Sequence, residues 1–151
     1  MSKMFIVGYG SLMSLEGLHR SLPGKEFTSR ATLKGWCRSF AHTGISHRYG
    51  TLVPDETAEA KYVTLIKVDD NEFEVLKNRE IGYRIVDVTA QIDPLPPGED
   101  VVALVFVALT PEEKPIRRSY LDTMFMDLTA EEAEEVAGKI DFCGAEIDEI
   151  G

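Results

Sequence analysis

Residues 4–22, MFIVGYGSLMSLEGLHRSL, constrain the fold more than any other stretch of this chain. An apolar run of strand composition, residues 4–7, enters Gly8-Tyr9-Gly10, then Ser11, then a segment with Leu15, Leu18 and Leu22 at helical spacing. The pattern predicts a strand, a tight turn and a helix. The glycines let the main chain turn sharply and let another group approach its amides, and the first N–H groups of the helix have no internal partner. Such a turn can cradle a carboxylate or an oxyanion. A dinucleotide fingerprint would need glycine where Met13 stands, with strand-helix alternation after it. A nucleophile elbow at Ser11 would need glycines at the positions held by Tyr9 and Met13. An ordinary strand-to-helix connection fits the same residues.

With 151 residues, 44% of them hydrophobic, the chain is long enough to bury a core, and a single domain over residues 1–151 is expected. A formal charge of -10 argues against the phosphate attraction that nucleic-acid binders use, but leaves room for a local cationic or amide-lined site. The N-terminal residues form neither a signal-peptide core nor a membrane span, so a soluble cytoplasmic protein is expected, with no membrane partner. Cys37 and Cys143 belong to no Cys-x-x-Cys pair, and His19, His42 and His47 lack metal-ligand spacing. No metal site and no cofactor are predicted. Oligomeric state is left open.

Beyond the first helix, Pro23-Gly24 is a stop signal, and alternation over residues 27–34 predicts a strand that Gly35 breaks. A further extended segment, 36–42, places Trp36, Arg38, Phe40 and His42 on one side, where Arg38 could stack on a ring or reach a carboxylate. A glycine-bounded loop at 43–50 leads to a short strand at 51–53 closed by Pro54, a second loop at 55–60, and a long strand at 61–68. A short helix at about 71–79 follows, with Phe73 and Leu76 toward the core, and then a strand at 83–92. Glu80 falls at the helix-to-strand junction beside Gly82, where a side chain can be held rigidly toward a cavity, although solvation is the commoner fate of such a carboxylate. Residues 101–109, VVALVFVAL, are apolar enough for a strand covered on both faces. The remainder is predicted helical, with Tyr120, Met124 and Leu128 at four-residue spacing, a capping box at Thr129 and Glu132, and an acidic solvated face after it. Strands with helices inserted irregularly indicate an α+β domain whose sheet curls into a small mixed β-barrel with surrounding helices.

The ordered set Gly8-Tyr9-Gly10-Ser11-Leu12, Gly35-Trp-Cys-Arg38-Ser-Phe40, Gly50-Thr-Leu-Val-Pro54, Leu76-x-x-Arg79-Glu80, Gly82-Tyr83 and Tyr120-Leu121 resembles the gamma-glutamylcyclotransferase-like superfamily, with its ChaC and AIG2-like branches. The resemblance covers roughly residues 4–125. It implies a small closed barrel ringed by helices, with a cavity at one end. It also implies that the loop Tyr9-Gly10-Ser11-Leu12 holds a glutamyl group largely through its main chain and that Glu80 is the acid-base residue. Arg38, Tyr83 and Tyr120 are candidates for lining the pocket. The spacing of Tyr83 from Glu80 and the run 124–127 after Tyr120-Leu121 depart from the family pattern and bear on the leaving-group pocket.

The implied substrate is a small gamma-glutamyl compound, whose α-amino group closes on its own side-chain carbonyl and leaves 5-oxoproline. Holding the substrate folded gives an intramolecular reaction, with effective molarities of about 10⁵ M and above in well-oriented cases. Glu80 would then move a proton from the attacking nitrogen to the departing one. A non-catalytic ligand- or peptide-binding module, or an amide hydrolase, would be the alternatives on the same fold.

Overall fold

The computed structural model describes residues 3–43, 48–79, 83–107, 116–142 and 146–149, and for 40–43, 48–50 and 117 the backbone alone. In chain order the elements are β1 (Lys3–Gly8), α1 (Leu15–His19), β2 (Ser29–Thr43), β3 (Arg48–Val68), α2 (Asp70–Arg79), β4 (Arg84–Asp87) and β5 (Ile92–Asp93). They continue with β6 (Val101–Val107), β7 (Ile116–Arg117), α3 (Arg118–Phe125), α4 (Ala130–Ala137) and β8 (Ile147–Asp148). Among the described residues eight strands form one sheet with the path β4-β6-β1-β3-β2-β5, and β7 and β8 join it through β3. β1 is antiparallel to β3 and parallel to β6, so the sheet is mixed. It curls into a half-barrel with a few helices, the α+β class expected.

Side-chain alternation along the strands divides the core. Phe5 and Val7 of β1 join Leu33, Val63, Leu65, Ala103 and Val105 in a cluster drawn almost entirely from the sheet, which fills the inside of the curl. Ile6 points the other way, with Ile66, Val68 and Phe106, and meets Leu12 from the turn, Leu18 and Leu76 from the first two helices and Leu22 from the segment after α1. β6 therefore feeds both clusters, as its continuous apolar run requires. Leu76 is fully buried, and Phe73 stacks on Phe106 with ring centroids 6.1 Å apart. A third cluster joins Met13 and Ile116 to Leu121, Met124, Val136 and Ile140.

The structure departs from the sequence reading where a turn signal sits inside a longer ladder. Gly35 does not end a strand: it adopts φ 83°, open to glycine without strain, and β2 runs on through it as one strand. Across from it, Lys34 pairs with Glu59 and Trp36 with Pro54, so residues 55–58 bulge out of β3. The expected loop at 55–60 is thus a wide bulge within one strand, shaped by Thr57 donating both N–H and hydroxyl to Asp55. The strand expected over 83–92 breaks at Asp87, which accepts from Thr89 and starts a single 3-10 turn at Thr89–Gln91 before β5. The C-terminal part is not wholly helical, since β7 and β8 pair there. The capping box does form: Thr129 accepts from the Glu132 N–H and Glu132 accepts from the Thr129 N–H. Thr129→Ala is expected to cost about 1 kcal/mol, measured as a lower midpoint of urea unfolding.

Candidate active site

β1 delivers the glycine turn. At its end Tyr9 and Gly10 are buried, a 3-10 turn occupies Ser11–Met13, and Ser14 then caps α1 by accepting from the Gly17 N–H at 3.1 Å. The expected direct passage from Ser11 into a helix is therefore split in two, because Met13 N–H closes back on the Gly10 carbonyl at 2.9 Å. The N–H groups of Ser11 and Leu12 precede that first bond and have no partner within the turn.

The turn is held from several sides. Thr64 of β3 donates its hydroxyl to the Leu12 carbonyl at 2.9 Å. The Tyr9 ring lies in the inner cluster and its hydroxyl donates to the Phe106 carbonyl at 2.5 Å, so this side chain anchors the turn while its main chain forms it. Arg38 is buried, at 6% exposure. Instead of a ring or carboxylate it takes main-chain carbonyls, donating Nε to Tyr9 at 2.8 Å and Nη2 to Lys61 at 2.6 Å. Burial, with the Arg30 charge adding to it, pushes the Arg38 guanidinium down to about 10, so it stays protonated at neutral pH. Arg30 is also lowered, by partial burial first, with Asp127 and Glu132 opposing.

Two further groups reach the turn from the helices. Arg79, the last residue of α2, donates Nη2 to the Ser11 hydroxyl at 2.7 Å. Tyr120 of α3 is half-buried against the third cluster, and a Cβ built on Gly10 would lie 2.5 Å from its hydroxyl oxygen. Only glycine allows that approach. Tyr83 is half-buried against the second cluster, which also holds Leu12. The structure thus gathers Tyr9, Gly10, Ser11, Leu12, Arg38 and Tyr120 around one turn, while Glu80 lies outside the described residues. The sequence reading gave no site role to Arg30, Thr64 or the carbonyls of Lys61 and Tyr62, and strand alternation alone carries no signal for such cross-strand contacts.

Among the described residues, no group of three His, Cys, Asp or Glu side chains could hold a metal ion, and no helix is long and apolar enough to cross a membrane. Cys37 is a free thiol, half-buried, and burial first of all raises its pKa. Cys143 lies outside the described residues.

A curled mixed sheet with this turn at the end of its first strand has close counterparts among solved structures. A gamma-glutamyl cyclotransferase superposes over 99% of this chain and 95% of its own at a TM-score of 0.73 and 16% identity. An uncharacterized human protein matches over 99% of this chain and 96% of its own, with 17% identity and a TM-score of 0.73. YkqA from Bacillus subtilis matches over 93% of this chain and 56% of its own, with 16% identity and a TM-score of 0.67. At these identities the likeness is one of fold, and the fold is that of gamma-glutamylcyclotransferase-like proteins. In sequence, the family model for ChaC-like protein matches residues 4–140, and the chain belongs to that family. Its class is accordingly that of gamma-glutamylcyclotransferase-like enzymes. No curated protein matches it significantly.

Proposed function

We propose that this protein acts as one domain to cleave a small gamma-glutamyl compound by cyclisation, releasing 5-oxoproline and an amine or amino acid, without a cofactor. The α-amino nitrogen attacks the side-chain carbonyl carbon, a new C–N bond forms, the original amide C–N bond breaks, and one proton passes from the attacking nitrogen to the departing one. Glu80 carries that proton, first as base and then as acid. Amides of the Gly10 to Leu12 turn hold the substrate carboxylate or the oxyanion. Arg38 steadies the turn, and Tyr83 and Tyr120 bound the space around the substrate.

The observation that most supports this reading is the 2.7 Å bond from Arg79 to Ser11. It ties the residue one peptide bond before Glu80 to the turn that would hold the glutamyl group, 68 positions earlier in the chain. An acid-base residue needs that kind of mutual placement with a substrate-holding element.

Incubation of the purified protein with gamma-glutamyl amino acids, gamma-glutamyl amines, glutathione and epsilon-linked glutamyl-lysine is expected to release 5-oxoproline from at least one of them. Release from none at high enzyme concentration would overturn the reading. Free glutamate in place of 5-oxoproline would identify a hydrolase.

A further inference from the structure

β3 breaks register with β2 at residues 61 and 62: Ala31 pairs with Val63 and Leu33 with Ala60, so two residues lie opposite Thr32. Within this bulge Tyr62 has φ 60°, a left-handed conformation that a bulky side chain holds only where its surroundings impose it. The bulge offers two successive carbonyls, and each is taken by an arginine. Arg38 bridges the Lys61 carbonyl, at 2.6 Å, to that of Tyr9, at 2.8 Å. Arg30 bridges the Tyr62 carbonyl, at 2.9 Å, to that of Met13, at 2.8 Å. Tyr9 and Met13 are the residues on either side of the Gly10 to Leu12 turn.

From α4, Glu135 accepts from the Lys61 ammonium at 2.8 Å and the Tyr62 hydroxyl at 3.1 Å, which holds both bulge residues by their side chains. A planar guanidinium fork fixes the separation of the two carbonyls it bridges, as a single-point ammonium cannot. Doubling the bridge fixes both ends of the turn. In a chain of net charge -10, the same two residues place positive charge behind this particular turn.

We propose that Arg30, Arg38 and the left-handed Tyr62 are positioning residues that hold the Tyr9 and Met13 carbonyls back into the protein, so that the amides between them keep one orientation toward the bound glutamyl group. This inference rests on the reading of the turn as the glutamyl-holding element. The strain at Tyr62 then has a use, because the left-handed residue is what turns two neighbouring carbonyls toward two different arginines.

Valine cannot readily hold φ above zero, whereas asparagine is enriched there. Tyr62→Val is therefore expected to lower kcat/KM for a gamma-glutamyl dipeptide by about tenfold or more per folded molecule, chiefly through KM. Tyr62→Asn, equally cut off from Glu135, is expected to retain at least about five times the kcat/KM of the valine variant. Arg30→Lys keeps the charge at a half-exposed site and loses the fork, and is expected to raise KM about tenfold while moving kcat by less than about threefold. Should the valine variant not fold, the lysine variant decides alone. Equal kcat/KM in the valine and asparagine variants, or an unchanged KM in Arg30→Lys, overturns the proposal, because a purely structural bulge would move thermal stability without moving substrate affinity. If the unaltered chain releases no 5-oxoproline, the functional reading fails and takes this inference with it; if it does and the variants behave alike, this inference alone fails.

Discussion

Glu80→Gln is expected to leave the protein folded and to reduce 5-oxoproline release by about 10² to 10⁴-fold, the range that a positioned general acid-base group supplies. Glutamine preserves size and shape and removes only the group able to carry a proton. The residue lies outside the described part of the structure, but the helix before it is described. α2 is anchored by Leu76, fully buried, and by the Phe73 stack, and its last residue bonds to Ser11. The residue preceding Glu80 is therefore tied to the glycine turn through its side chain, and a proton carrier proposed to serve two nitrogens in turn needs such mutual placement. Steady-state rates with a gamma-glutamyl substrate, alongside a thermal melt to check the fold, measure the effect. Turnover equal to that of the unaltered chain would remove Glu80 from its role. A lost fold would identify the carboxylate as a structural partner instead.

The ordered motifs carried the α+β class and the family, because each reports a local requirement: a glycine where the chain turns, an apolar run where a strand is covered twice, a capping box where a helix begins. Local signals misled where tertiary pairing overrode them. Gly35 and Pro54 are turn residues by composition, yet they sit near and within one long two-stranded ladder, whose register absorbs both through a bulge. The fate of Arg38 was equally hidden. Its burial depends on the carbonyls of Tyr9, in the turn after β1, and of Lys61 in β3, and no periodicity in its own strand announces them. Tyr62 is the plainest case, since tyrosine is an unexpected residue at positive φ and the bulge that places it there exists only through pairing with β2.

If the turn holds the glutamyl group as proposed, Gly10→Ala is expected to lower kcat/KM by about 10²-fold, because a displacement of the order of 1 Å in such an element costs about that much. Its added Cβ would lie 2.5 Å from the Tyr120 hydroxyl oxygen but 3.6 Å from Cζ of the same ring, and the latter is ordinary contact. One atom therefore makes the conflict. The turn cannot retreat easily, since Leu12 is held by Thr64 and Tyr9 by Arg38 and by its own hydroxyl bond to Phe106. Nor can Tyr120 swing freely, packed as it is against the third cluster. Overpacking of this kind is expected to cost about 1–3 kcal/mol of stability, measured by urea unfolding. Tyr120→Phe removes the offending atom and no other, so the double variant is expected to recover most of that stability, a coupling that two independent sites would not show. Additive losses in the double variant would mean that the strain of an alanine at position 10 is met elsewhere than at Tyr120, and that the hydroxyl is not what makes glycine necessary there.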